Sequence, residues 1–490
     1  MEHSLPNWLK QRAELTPNRL AIQQGDESIS FETLYKRVQA QASLLANLHV
    51  QKGQHVGVLM KNSIEMIEVI HAIFSLGAVA VLLNHRLTSK ELAWQLSDVE
   101  ASHVIFHEDL KNKLDAEIRV QGISIERLSE LSCPNIVALQ DEFQVDQVAT
   151  IMYTSGTTGH PKGVMQTFGN HWSSAVGSAL NLGLKEDDRW LLAVPLFHIS
   201  GLSILVRSVI YGIAIVLHEK FDAIKMNQSI MSDRVTIVSV VTTMLSQMID
   251  ALGDKKYPSS FRCMLVGGGP VPKKVLEECK DKQIPVYQTY GMTETASQIV
   301  TLSSEYSTTK LGSAGKPLFT CQMKIMKDGK ECAAFEEGEI LVKGPNITKG
   351  YWKRADATSQ VYTQGWFHTG DHGYIDHEGF LFVLDRRSDL IISGGENVYP
   401  AEIENVLLSF PKIVDAGVVG KEDDKWGQVP FAFIVTTGEV DVESLIDYCK
   451  TRLASYKVPK GVKILNELPR NASNKLVRRK LKDLLTEECL

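Results

Sequence analysis

Hydrophobic positions spaced three to four residues apart over Trp8–Leu15 and Phe31–Leu48 predict two amphipathic helices. Between them, Ala21–Gln24 and Ser28–Phe31 flank Gly25-Asp26 and read as a hairpin. Val56–Met60, Ala78–Leu83 and His103–Phe106 are short, almost wholly apolar runs. Strands covered on both faces have that texture. Helical stretches at Ile64–Leu76 and Ser89–Val99 separate them, and Val148–Tyr153 is a further run. The same alternation resumes with Arg189–Val194, Ile213–Leu217, Val235–Val240, Cys263–Val266 and Pro285–Thr289. Strands alternating with helices predict βαβ units and parallel sheets, an α/β fold.

From about Lys310 the texture changes to short strands punctuated by Glu337-Gly338, Lys343-Gly344-Pro345, Gly365 and Glu378-Gly379, so a β-rich subdomain is expected. The polar run Leu384–Asp389 sits between two apolar strands and reads as a surface turn or a domain linker. Beyond it, Pro400–Leu408 and Val442–Leu453 are helical, and Val414–Val419 and Pro430–Thr436 are strands. No internal repeat or low-complexity tract interrupts the pattern.

A chain of 490 residues exceeds a single core, so several structural units are expected. The net charge of −6 speaks against a nucleic-acid binder that works by neutralising phosphates. The seven cysteines are widely spaced, without C-x-x-C or zinc spacing, as expected of reduced thiols in the cytoplasm. The N-terminus lacks the layout of a signal peptide. The most apolar stretches, Ile64–Leu83 and Gly201–Leu217, carry charged residues and read as buried helix–strand pairs, with no stable membrane insertion expected.

Candidate chemistry gathers where strands end, the place where open α/β sheets bind ligands. Thr154, Ser155, Gly156, Thr157, Thr158, Gly159 and Lys162 combine hydroxyls, permissive backbone and a cation. Such a loop is either a phosphate cradle or a small polar surface loop. It is not the Walker pattern. Tyr290 offers an aromatic face, Thr293 a hydroxyl and Glu294 the hard oxygen Mg²⁺ prefers; a strand-to-helix turn capped by Thr293 is the competing reading. His198 is a buried structural histidine or an imidazole that orients or shields a carboxylate near the phosphate loop. Asp371 makes an Asx turn or accepts ribose hydroxyls, with Arg386 joining it. Lys475 lies in a basic tail, Pro469–Lys480, where nothing local distinguishes it from its neighbours.

These stretches, in order T-S-G-T-T-G-H-P-K-G, F-H, G-G-G-P, Y-G-M-T-E, W-F-H-T-G-D, D-R-R-S-D, S-G-G-E-N-V-Y-P-A-E-I-E and P-R-N-A-S-N-K, resemble the adenylate-forming superfamily of acyl-CoA synthetases, peptide-synthetase adenylation domains and luciferase. The likeness runs from Trp8 to about Lys482. The context T-F-G-N-H-W followed by P-L-F-H-I-S-G-L-S is similar to the subgroup that activates 2-succinylbenzoate on the way to menaquinone. The resemblance implies ATP, CoA and a small carboxylic acid as substrates and Mg²⁺ as the metal. A fatty or aryl acid–CoA ligase is the alternative within the class, and a nucleotide-binding protein without turnover the alternative outside it. An oligomer is compatible with all of these.

By motif, Thr154–Lys162 would hold the β- and γ-phosphates, Thr293 the α-phosphate and Glu294 the metal. Gly268, Gly269, Gln288 and Tyr290 would surround adenine, and Asp371 and Arg386 the ribose. Lys475 would bridge carboxylate and α-phosphate. His198 would join Lys475 and Thr293 as a catalytic group. Ser393, Gly394 and Gly395 would line the thiol entrance. The implied architecture is a large N-terminal domain, residues 1–387, with its β-rich subdomain at about 310–385. A hinge at Ser388 would join it to a small mobile α+β lid, residues 389–490. The chain departs from the family's usual pattern at Asn474 and Asp385, where glycine is common, and at Ser388, which carries no charge. Asn tolerates the left-handed conformation better than other residues with a side chain, so the turn before Lys475 is expected to survive.

Overall fold

The computed structural model describes every residue except 1–3, 88, 115–119, 132–136, 155–160, 270, 387–388, 390, 394–395, 399, 424–425, 454, 472–473 and 487–490. Two mixed sheets dominate the larger part. One has seven strands, in the order Gly350–Tyr351, Lys162–Thr167, Val148–Thr154, Val79–Leu82, His55–Leu59, His103–Phe106, Gln121–Ser124. The other has nine, running from Lys316–Pro317 through Ser297–Leu302, Val286–Met292, Cys263–Gly267, Ile237–Val241, Arg189–Leu192, Ala214–Leu217 and Leu20–Gln24 to Glu27–Ser30. Both are parallel in the middle; the nine-stranded sheet is antiparallel at both ends and the seven-stranded sheet only at its Gly350–Tyr351 end.

One apolar core takes side chains from both sheets and from the helices between them. Phe143 and Phe168 stack at 4.1 Å, and Trp8 meets both edge-on. Local sequence sets where the helices begin. Ser30 and Ser63 cap Phe31–Asn47 and Ile64–Ser75 through their hydroxyls. Thr167 and Asn170 bond reciprocally at the start of Phe168–Leu182, which ends at Gly183 with φ 70°.

The β-rich stretch is a six-stranded antiparallel sheet between Gln322 and Arg386. A five-stranded sheet between Ile391 and Ile464 follows, covered by Pro400–Leu408, Val442–Lys450 and Arg478–Thr486, with its own core around Ile403, Leu407, Val418, Ile434 and Leu445. Among the described residues no helix is long and apolar enough to cross a bilayer.

Two sequence expectations change. The strand expected to stop at Thr289 runs on to Met292. It then turns through one 3₁₀ turn, Thr293–Thr295, into the antiparallel strand Ser297–Leu302. No helix follows, so Thr293 caps none. The reversal is tight: Ala296 and Ser297 have φ 49° and 97°, and a Cβ on Gly291 would stand 2.0 Å from the Ser297 carbonyl oxygen. Glycine is therefore required at 291. The second change concerns Lys162. It begins the strand that returns antiparallel to Val148–Thr154, directly across from Thr154.

Candidate active site

The anion side of the site is built on that hairpin. Ser155, Gly156, Thr157, Thr158 and Gly159 lie outside the described residues, as do Ser388, Gly394 and Gly395. Thr154 and Lys162 frame the loop from its two strands. Lys162 Nζ stands over the Tyr351 ring, 5.1 Å from its centroid, because Tyr351 pairs with Val164 two residues along. The Tyr351 hydroxyl donates to Glu294 Oε1 at 3.1 Å. One phenol thus touches both the candidate phosphate cation and the candidate metal ligand.

The Thr293–Thr295 turn is held from outside by the same neighbourhood. Gln166 Nε2 donates to the Thr293 carbonyl, Asn346 Nδ2 to that of Thr295 at 2.8 Å, and the Thr348 N–H to that of Glu294 at 2.7 Å. Asn346 and Thr348 are buried. The segment Gly344–Tyr351 is a wall of the site that the sequence reading missed. Its polar, glycine-flanked texture reads as a solvated loop, and only the fold shows where its donors go.

Glu294 is a single, largely buried carboxylate. Among the described residues no three His, Cys, Asp or Glu side chains gather to cage a metal unaided. One hard oxygen suits Mg²⁺ that arrives with substrate phosphates. Partners that orient a metal-binding carboxylate typically change metal affinity about 10- to 100-fold. Tyr351→Phe is therefore expected to raise the Mg²⁺ concentration for half-maximal pyrophosphate exchange by about tenfold. A Mg²⁺ titration, with calorimetry of Mn²⁺·ATP binding as the second readout, checks this.

The nucleoside side lies at the carboxyl ends of the neighbouring parallel strands. Cys263–Gly267 delivers Gly268 at φ +86°, and Gly269 has open space where a Cβ would be. Gln288 is buried with its Nε2 donor unmatched among the described residues, which fits a donor aimed at a base. The Tyr290 hydroxyl donates to Asp371 Oδ2 at 2.7 Å, so the aromatic face and the candidate ribose acid are fixed together. Asp371 and Arg386 stand opposite each other in the register of two antiparallel strands.

His198 opens the helix Ile199–Tyr211. It is half-buried beside Phe197, and its Nε2 has no partner among the described residues. Burial pushes its pKa down to about 4, and the nearby positive charge of Lys475, with Arg86 and His85, adds to the fall. The ring is therefore neutral at pH 7. The same interaction places the Lys475 ammonium on the His198 side, although the two are far apart in sequence. Asn474 has φ 61°, the left-handed conformation expected of it. Ser393 ends the strand Ile391–Ser393, buried and paired with Gly427.

A further residue escaped the sequence reading. Arg207, two turns along the helix from His198, is fully buried and makes no ion pair among the described residues. Its Nη2 donates to Ser174 at 3.3 Å and its guanidinium lies 5.5 Å from the Trp190 ring centroid. Ser174 in turn donates to the Ala296 carbonyl, and Trp190 to Ser239. A buried cation without a carboxylate is costly and raises the local potential in favour of an anion. Arginine inside an apolar helix gives no sequence signal of this.

The arrangement links the candidate phosphate cation to the candidate metal ligand through Tyr351, ties the candidate nucleoside pair Tyr290 and Asp371 together, and sets the Lys475 charge to act on His198. It suits joining two anions, a carboxylate and a nucleoside triphosphate. Residues 9–352 match the AMP-binding enzyme family, and residues 402–475 match the AMP-binding enzyme C-terminal domain. The chain is 56% identical to 2-succinylbenzoate–CoA ligase of Bacillus cytotoxicus over 485 residues, 99% of this chain and 100% of that one. It superposes with a TM-score of 0.95 on o-succinylbenzoate CoA synthetase from Bacillus subtilis in complex with the acyl-adenylate intermediate, at 52% identity over 98% and 99% of the two chains. The same Bacillus subtilis enzyme in complex with ATP and magnesium ion gives a TM-score of 0.94, at 51% identity over 98% and 100%. This chain belongs to the family of AMP-binding enzymes.

Proposed function

We infer that this chain is an AMP-forming acid–thiol ligase that joins 2-succinylbenzoate to CoA for menaquinone synthesis. The observation that carries the substrate is the full-length likeness, 56% identity over 99% of the chain, to a 2-succinylbenzoate–CoA ligase. In the first half-reaction a carboxylate oxygen attacks the α-phosphorus of ATP. The bond to the β-phosphate breaks and pyrophosphate leaves. In the second, the CoA sulfur attacks the acyl carbon of the adenylate, the thiol proton is lost to solvent, and AMP leaves. No general base is needed in the first step, because the carboxylate is already ionised at pH 7.

The residues divide the work. Thr154 and Lys162, with the loop between them, take the leaving pyrophosphate. Glu294 would hold Mg²⁺ that arrives with the phosphates, and the ion would supply charge neutralisation there. Thr293 contacts the α-phosphate. Gly268, Gly269, Gln288 and Tyr290 surround the base, and Asp371 and Arg386 the ribose. Lys475 draws the two anions together, and neutral His198 orients the carboxylate without adding charge. The second step requires Lys475 to leave, which a rotation of residues 389–490 about Ser388 would accomplish, bringing Ser393–Gly395 to the thiol path. The enzyme would work in the cytoplasm.

2-Succinylbenzoate carries two carboxylates. One becomes the adenylate, and the other needs a positive environment. Arg207, a buried cation on the helix that His198 opens, is the candidate offered for that environment. The test is AMP and thioester formation with a panel of acids. Turnover of 2-succinylbenzoate is expected to exceed that of benzoate and medium-chain acids by at least about 100-fold. Preference for a monocarboxylate would overturn the substrate.

A further inference from the structure

Lys475 is an exposed residue on a turn outside both lid cores, yet adenylation requires its ammonium at one place. The turn closes two short arms, joined by the bridge Arg470–Leu476 and by the Val477 N–H donating to the Pro469 carbonyl at 2.8 Å. The Asn471 N–H donates to the Lys475 carbonyl, and the Asn474 N–H to the Asn471 carbonyl, each at 2.9 Å. Asn474 takes φ 61° to complete the reversal.

One peptide unit in this turn is held at both of its polar atoms by side chains. The Asn474 carbonyl accepts from Arg470 Nη1 at 2.8 Å, and the Lys475 N–H donates to Asn471 Oδ1 at 2.9 Å. Arg470 is itself anchored: its Nη2 donates to both Asp415 carboxylate oxygens, at 2.8 and 2.7 Å. Asp415 belongs to the long strand Ile413–Asp423, paired along its length with Gly427–Thr436. On the far side of the lysine, Arg478 Nη2 reaches both carboxylate oxygens of Glu404, at 2.8 and 2.7 Å.

With the Asn474–Lys475 peptide plane held and the Lys475 carbonyl accepting from the Asn471 N–H on the other side of its Cα, rotation about the Lys475 N–Cα bond is restrained, and with it the direction of the Cα–Cβ bond. We propose that Arg470, anchored on Asp415, and Asn471 clamp the Asn474–Lys475 peptide unit and thereby aim Lys475 into the site, both acting as positioning residues for adenylation. This rests on the role given to Lys475 above. Lysine cannot replace Arg470, because an ammonium cannot span Asp415 and the Asn474 carbonyl in one planar fork.

The test measures ATP–pyrophosphate exchange with 2-succinylbenzoate and thioester formation from supplied acyl-adenylate, for Arg470→Gln, Arg470→Lys and Asn471→Ala. Each is made in the full-length chain with and without Lys475→Ala. Exchange is expected to fall about 10- to 100-fold, the cost of a misplaced group, with the thioester step within about twofold. In the Lys475→Ala background the clamp variants should cost nothing further. Equal loss of both steps at an unchanged unfolding temperature, or an additive loss in that background, overturns the clamp. Should Arg470→Gln not fold, Asp415→Asn loosens the same anchor and is read the same way. If Lys475→Ala exchanges pyrophosphate as fast as the unaltered chain, the role of the lysine itself falls.

Discussion

Lys475→Ala is expected to slow acyl-adenylate formation by about 10²- to 10³-fold, the size of one lost transition-state donor. Thioester formation from supplied acyl-adenylate should change by no more than about twofold. The asymmetry follows from when charge develops. In adenylation the attacking carboxylate and the α-phosphate oxygens approach each other as anions, and a cation between them stabilises the transition state more than the separated reactants. In the second step the acyl group is already esterified and the pyrophosphate gone, so the lysine has no such pair to bridge. The present arrangement, with the Lys475 charge acting on His198, fits the first step. Neutral His198 matters to it, because a protonated ring there would compete with the lysine for the carboxylate. Separate assays of the two half-reactions decide the matter. Equal loss in both would remove the lysine from its adenylation-only role.

How much of this was legible in the sequence depends on what signal each element left. The strands Val56–Leu59, His103–Phe106 and Cys263–Gly267 announce themselves because burial on both faces demands an unbroken apolar run. Strand Ile413–Asp423 was read too short. Its last residues, Lys421–Asp423, are polar and stay extended only because their hairpin partners, Gly427–Val429, hold them in register. Strand Val286–Met292 was cut short for a similar reason: Gly291 and polar neighbours end the apolar run, while the antiparallel partner Ser297–Leu302 carries the pairing on. Pairing is non-local, and a linear pattern does not contain it.

The site divides along the same line. Glycines, hydroxyls and charges that cluster in sequence, as at Thr154–Lys162 and Tyr290–Glu294, could be found by reading. Residues that act by reaching across the fold could not. Tyr351 contacts Lys162 and Glu294 from a two-residue strand. Arg207 first counted only as a charge that argued against a membrane span. Asp371 and Arg386, fifteen residues apart, were already paired by reading, and the register of a hairpin sets them opposite each other.

The amino ends of the same strands carry a different load. Asp188 precedes Arg189–Leu192, Thr236 precedes Ile237–Val241, and Arg262 precedes Cys263–Gly267, three neighbouring parallel strands. The Asp188 carboxylate is fully buried and accepts from Arg262 Nε at 2.8 Å, Thr236 Oγ1 at 2.7 Å and the Lys185 N–H at 2.9 Å. Burial alone would push its pKa up. The hydrogen bonds from Arg262, Thr236 and Lys185 outweigh it and hold the group below the ordinary aspartate range. Asp188→Ala strands a partly buried guanidinium and should cost about 3–5 kcal/mol of stability, with Asp188→Asn milder. A depressed folded-state pKa stabilises the chain above the unfolded-state value of about 3.9 and ceases to do so as pH falls through the folded value. The stability gap between the unaltered chain and Asp188→Asn should therefore be constant from about pH 5 to 8 and narrow below about pH 4. Denaturant unfolding followed by tryptophan fluorescence across that range measures it. Since the proposed site lies toward the opposite, carboxyl ends of these strands, kcat per folded molecule should be unchanged. A variant with full stability but lost turnover would contradict this separation of strand ends, placing the Asp188 network in the reaction and not beneath it.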